Sequence, residues 1–265
     1  MRLTLPIFIS ACILTSNLQA QSTIAPPANT SVLFNINFDL GIPMNEFKTY
    51  NDEVAAGGGF SLFFQPSNKI PVLVGFDMAF MGNGHKTQHE TLTADIVAGT
   101  TVIETLYFPM RVETYNMITT GDVHLRVQSP TNFFKPYLDG MVGFNHFGTN
   151  TSVYDESEEY YLSEEDNPLI TSSQQNSSWS LNYGGALGML VQLNENIFLD
   201  VRCAYTFGGE AEYYVEDDIE NWEIEFNTVP TSQDDVSDED IDISAIKKQS
   251  HTDMIMGTIG LTFKF

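Results

Sequence analysis

The stretch HTDMIMGTIGLTFKF, residues 251–265, decides the fold. Ile255, Ile259, Leu261, Phe263 and Phe265 fall on one side of an extended chain, with Gly257 among them. Met254, Met256, Thr258, Gly260, Thr262 and Lys264 fall on the other. A period of two marks a strand with two unlike faces. The apolar face must meet a core or lipid, and the strand's partners must come from earlier in the chain.

Seven earlier segments carry the same alternation: Val32–Gly41, Ala55–Gln65, Ile70–Met81, Thr114–Gln128, Lys135–Phe147, Ser178–Gln192 and Ile197–Gly208. Three connections are tight turns of polar and turn-forming residues, Pro66–Lys69, Ser129–Asn132 and Leu193–Asn196. They alternate with long ones. A loop follows the first strand through Pro43 and Asn51-Asp52, and residues 82–113 read as a loop carrying an extra hairpin, with strand character at Thr101–Tyr107. Strands of this length exceed the roughly five or six residues usual in soluble sheets. They suit a tilted crossing of a hydrocarbon layer, which takes about nine to eleven.

Alternation by itself also fits a lipocalin-type barrel, with its apolar set turned inward. The opposite face separates the two. It carries Asp39, Asp77, Asp122, His124, Arg126, Asp139, Asp200 and Arg202, among Gly, Ala, Ser, Thr and Asn. Small residues and charges of both signs fit a narrow lumen, while the apolar face is nearly free of charge, as lipid contact demands. Tyr115, Trp179, Tyr183, Tyr205, Phe207, Phe263 and Phe265 gather toward strand ends, as interfacial girdles do. The expectation is an all-β fold: a closed antiparallel up-and-down transmembrane β-barrel of about eight strands, with long extracellular loops and short periplasmic turns.

The totals agree with one large all-β domain in 265 residues. Residues 1–20 read as a cleaved signal peptide, with Arg2, an apolar run from Leu3 to Leu14, and a cleavage site at Leu18-Gln19-Ala20. Residues 21–30, with Pro26 and Pro27, are a lead-in, and 31–265 form the barrel domain. The net charge of −24 is concentrated. Residues 148–177 hold seven acidic and no basic residues, and 208–250 hold fourteen acidic and two basic. Phosphate would be repelled, which disfavours nucleic acid as a partner. After cleavage one cysteine is left, Cys203, so no internal disulfide forms.

With these residues in view, the chain resembles the Gram-negative outer-membrane β-barrel family, the eight-stranded porin-like group with OmpA-type and OmpX-type barrels. The resemblance rests on Pro136-Tyr137-Leu138-Asp139-Gly140 with Gly143-Phe144-Asn145, and on Asn196-Ile197-Phe198-Leu199-Asp200 with Tyr205-Thr206-Phe207-Gly208. The terminal Gly260-Leu261-Thr262-Phe263-Lys264-Phe265 completes it. It implies location in the cell outer membrane, contact with outer-membrane lipid, and recognition of Ile259, Leu261, Phe263 and Phe265 by the barrel-assembly machinery. No peptidoglycan-binding domain is expected after the barrel, and so no anchoring to the cell wall.

The chemistry-bearing residues point to structure rather than catalysis. Asp122, His124 and Arg126 lie two apart and so face one way; in a lumen they form a salt-bridged plug, although a base oriented by a carboxylate has the same spacing. His85 and His89 have a helical metal-pair spacing but no helical periodicity around them, so they are surface residues. Asp217-Asp218, Asp234-Asp235 and Asp238-Glu239-Asp240 are oxygen donors for divalent cations at the acidic loops, without a calcium-loop pattern. Tyr154, Tyr160 and Tyr161 stand among carboxylates, where packing at the loop's base competes with sugar stacking. No catalytic residue, cofactor or defined metal site is expected. The reading is a structural or surface-interaction barrel with a plugged lumen; the alternatives are a small-solute channel, a lipid A-modifying enzyme and a secreted lipid-binding barrel.

Overall fold

The computed structural model describes residues 30–67, 70–98, 101–131, 133–156, 169–215, 223–226, 241–244 and 247–265. The signal segment, Tyr160 and Tyr161, and the aspartates at 217–218, 234–235, 238 and 240 lie outside them. In chain order the elements are β1 (Ser31–Pro43), α1 (Asn45–Tyr50), β2 (Ala55–Gln65), β3 (Val72–Ala98), β4 (Thr101–Gln128), β5 (Phe134–Asp155), β6 (Leu169–Gln192), β7 (Ile197–Gly208), β8 (Glu210–Tyr213), β9 (Glu223–Phe226), β10 (Ile241–Ser244), β11 (Lys248–His251) and β12 (Met254–Lys264).

Eight of these close a ring in the order β1-β12-β7-β6-β5-β4-β3-β2, every neighbour antiparallel. β12 closes it by pairing with β1 on one side, Phe38 opposite Ile259, and with β7 on the other, Val201 opposite Ile259. Closure removes every free edge from the ring and lets its backbone groups pair internally, the condition for crossing hydrocarbon. β2, with 11 residues, spans about 28 Å of height at a 40° tilt and 3.3 Å per residue, the thickness of a bilayer core. No helix among the described residues is long and apolar enough to cross a membrane.

The two faces sort by environment. On β1, Leu33, Asn35, Asn37, Asp39 and Gly41 are buried, while Ile36, Phe38, Leu40 and Ile42 are exposed on the outside. Leu181 and Leu187 are 78% and 66% exposed, values that a core would not allow and a lipid contact requires.

Three expectations are corrected. Residues 82–113 are not a loop with an added hairpin: β3 and β4 continue through them, paired as far as Ala98 opposite Thr101, and add no strand to the ring. The segment is rich in Thr and β-branched residues, which favour strands, but it has left the lipid and so lost the one-sided apolar pattern. The first acidic loop is also shorter, because β5 runs to Asp155 and β6 starts at Leu169. Third, the connection after β1 contains a helix. α1 has six residues, too short to stand alone. Tertiary contacts hold it, chiefly Phe47, which is completely buried.

Candidate functional site

The lumen is stratified. Climbing β1 from the end with the tight turns, the inward residues go from Leu33 through Asn35, Asn37 and Asp39 to Gly41, whose partner on β12 is Met256. An apolar layer, an ionic layer and a second apolar layer follow one another.

The lower layer is Leu33, Phe63, Leu73, Tyr137, Leu190 and Phe198. Next above it lies Arg126, whose side chain is 1% exposed. Its Nε and Nη2 both donate to Asp139 at 2.8 Å. Its guanidinium carbon lies 3.8 Å from the centre of the Phe63 ring and 3.6 Å from that of Tyr137. The Tyr137 hydroxyl donates to Asp200 at 2.6 Å, and Asn35 donates to Thr262 at 2.7 Å. Arg202 Nη1 reaches Asp77 at 2.7 Å. Thr258 donates to Asp39 at 2.7 Å, and Asn37 adds bonds of 2.9 and 3.1 Å to the same carboxylate. His124 lies between two carboxylates, Nε2 3.1 Å from Asp77 and Nδ1 3.6 Å from Asp139. All eight residues assigned to the lumen from the sequence are buried and face inward.

The upper layer is a lid. Phe47 of α1 packs edge-on against Phe147 at 5.7 Å and Tyr213 at 5.0 Å. Met81, Met254 and Met256 fill in beneath. α1 starts at Asn45, a non-glycine residue at φ 51° whose side-chain amide donates to the Tyr205 hydroxyl at 2.9 Å and to Asp253 at 2.8 Å. Asparagine tolerates that backbone conformation better than most residues. The β8–β11 hairpin completes the lid: Tyr213 shares a 2.7 Å hydrogen bond with Ser250, and Asn176 of β6 donates to the Glu212 carbonyl at 2.8 Å. Burial pushes the Tyr213 phenol up from its ordinary range.

Above the lid the sheet goes on as a wall of β3, β4, β5 and β6. A bulge between Gly82 and His85 starts it, with Gly84 at φ +106°, where a side chain would be strained. His89 meets Glu156 at 2.8 Å, and Arg111 bridges Glu113 and Glu156 with its guanidinium 4.6 Å from the Tyr154 ring. His85 and His89 therefore lie on a strand and are exposed, and Tyr154, opposite Arg111 near the end of β5, is half-buried.

On the outside, Phe144 and Trp179, and Tyr183, Phe207 and Tyr205, form ring contacts of 4.8–5.3 Å toward the upper end. Cys203 is exposed on the same outer face. Ile259 and Leu261 also face outward, and Phe265 exchanges backbone hydrogen bonds of 2.9 and 3.2 Å with Val32 at the lower rim.

Sequence reading missed Arg126's aromatic sandwich, the Tyr137 contact and the lid. Tyr137 was within reach of that reading, because it shares strand parity with Asp139. Phe47 carried no signal beyond its apolarity.

A closed ring with an apolar exterior and an ionic interior is the architecture of outer-membrane β-barrels. No protein-family model matches the chain, and no curated protein matches it. Solved structures similar to it include Neisserial surface protein A, at 10% identity over 89% of this chain and 97% of that one, TM-score 0.37. The outer membrane protein OprG from Pseudomonas aeruginosa shows 15% identity over 89% and 95%, TM-score 0.40. A major outer membrane protein from Thermus thermophilus shows 9% identity over 88% and 99%, TM-score 0.43. The fold assignment stands on the strand ring and the two-faced strands themselves.

Proposed function

We propose that this protein is an integral outer-membrane barrel with a non-conducting lumen, and that its role is exercised by the wall above the barrel, in contact with other surfaces. The observation that carries this reading is the length of β3 and β4, 27 and 28 residues against 11 in β2. From Gly82 to Ala98 the hairpin continues for about 50 Å along the strand, at 3.3 Å per residue. A barrel whose only task was to fill the bilayer has no use for that extension. The lumen, by contrast, is shut by side chains at both ends. Its acid–base residues are shut away from any substrate, so the reading assigns no catalytic role. The terminal residues Ile259, Leu261, Phe263 and Phe265 serve as the signal for the barrel-assembly machinery.

Two measurements test it. Purified protein in planar bilayers should show no stable conductance steps; regular steps would favour the small-solute channel and defeat the plugged lumen. A chain with residues 84–113 replaced by a two-residue turn should still fold, as heat-dependent gel mobility reports. Cells displaying it should lose adherence or self-aggregation relative to cells with the full hairpin. Undiminished adherence would remove the wall from the account.

A further inference from the structure

The ionic layer is not electrically balanced. Five aspartates face it, with two guanidiniums and one imidazole to meet them. Asp139 has Arg126, Asp77 has Arg202, Asp200 has the Tyr137 hydroxyl, and Asp39 has Asn37 and Thr258. Asp122 is the least satisfied: Asn182 is its one side-chain hydrogen-bond partner, and its Oδ1 is buried and makes no hydrogen bond. It also stands directly across the ladder from Asp77, a like-charge pair that repels. The backbone makes room for it, since a Cβ on Gly143 would overlap the Asp122 carboxylate and the Gly121 carbonyl.

Two further groups beside it are unsatisfied. Neither ring nitrogen of His124 makes an aligned hydrogen bond, although Nε2 is 3.1 Å from Asp77, and Asn182 Oδ1 has no partner either. Ligand atoms of Asp77, Asp122 and His124 lie within 4.8 Å of one another. Asp77, Asp122, Asn182 and Arg202 also border a cavity of about 20 Å³, space for one water, on the side of the two carboxylates away from His124.

We propose that Asp77, Asp122 and His124 form a buried site for one divalent metal ion of the zinc or manganese class. One imidazole and two carboxylates suit such ions, which bind at about 2.0–2.2 Å. With Nε2 on the metal, Nδ1–H points to Asp139 at 3.6 Å, itself clamped by Arg126. Closing that gap to hydrogen-bond length would complete the carboxylate–histidine–metal arrangement that sets the tautomer of a ligating histidine. Arg202 Nη1 and His124 Nε2 both face Asp77 Oδ2, at 2.7 and 3.1 Å, so the ion would share that oxygen with Arg202 or take the other one. Two added positive charges reduce the layer's excess of three negative charges, counted with neutral His124, to one. The rival means of neutralisation is protons on Asp122 and His124.

The full mature chain, stripped with chelator and refolded from urea into detergent with Co²⁺, avoids any need for a path through the lids. Folding is checked by heat-dependent gel mobility. The expected result is one Co²⁺ per folded barrel, with visible absorption bands of a mixed nitrogen and oxygen site. Asp122→Asn and His124→Gln should abolish it, and Asp139→Asn should weaken it by about 10–100-fold. No stoichiometric uptake would leave protons as the neutralising charge and overturn the proposal. Uptake unchanged in Asp122→Asn and His124→Gln would overturn it too, placing the ion at the acidic loops. If those variants do not fold, pulsed electron paramagnetic resonance of the Mn²⁺-loaded wild type decides: imidazole nitrogen coupling supports the site, and its absence sinks it.

Discussion

Replacing Arg126 with Met tests the ionic layer most directly. The substitution keeps most of the side chain's length and removes its charge. Asp139, whose side chain is fully buried, then loses both 2.8 Å hydrogen bonds and its counter-charge together. Breaking a buried pair from one side costs about 3–5 kcal/mol, because the remaining charge has neither water nor partner. The guanidinium also leaves two aromatic faces, at 3.8 and 3.6 Å, worth about 0.5–2 kcal/mol each when desolvated. Methionine's own contacts with those rings return part of that. The expected net loss is about 4 kcal/mol, which at a urea slope of about 2 kcal/mol per molar moves the midpoint down by about 2 M. Equilibrium unfolding in lipid vesicles, followed by tryptophan emission and gel mobility, measures it. The double variant Arg126→Met with Asp139→Leu removes both charges and should recover at least about 2 kcal/mol of the single variant's loss. A single variant within about 1 kcal/mol of wild type would refute the reasoning, as would a double variant whose losses simply add.

Phe47→Ala empties the centre of the lid and should cost about 3–5 kcal/mol by the same assay. Conductance in planar bilayers should stay near baseline, because the ionic and lower layers remain closed. Gly143→Ala puts a methyl group against the Gly121 carbonyl and Asp122, and the chain should fail to reach the folded gel form. Leu187→Lys places a charge on the lipid face and should cost about 2–4 kcal/mol in bilayers if it lies near the midplane, read as a lowered urea midpoint.

How much of this could be read from the sequence depended on the solvent each segment meets. Inside the bilayer one environment is apolar and the other is not, so each strand must alternate. Ile36, Phe38 and Leu40 against Asn37 and Asp39 therefore declared both the strand and its inward face. The same logic failed where the chain left the lipid. Over His85–Thr91 neither side of the sheet is buried, no apolar stripe is required, and the continuing strand looked like a loop. α1 was hidden for a different reason, since a six-residue helix held by one phenylalanine has no periodicity to detect. The candidate metal site was half visible. The shared parity of Asp122 and His124 could be read along one strand, but Asp77's place opposite Asp122 depends on the pairing register between β3 and β4.

The layering of the lumen also bears on where function can reside. On the proposed reading, an ion entering from either end meets an apolar disc before it reaches any charge that could replace its water. Phe47, Phe147 and Tyr213 block the upper approach, and Phe63, Leu73 and Phe198 the lower. Four of the five carboxylates between them are already engaged, Asp139 with Arg126, Asp77 with Arg202, Asp200 with Tyr137 and Asp39 with Thr258. Wetting the path would require moving packed aromatic rings at both ends together, with α1 and the β8–β11 hairpin displaced as well. What such packing provides is rigidity. On the same reading, a base stiffened by buried ion pairs would hold β3 and β4 in place, and their ladder continues past Gly82 and the bulge into the wall. On this view the lumen and the wall are one device. Loosening the ionic layer should weaken surface contact before it opens any pore.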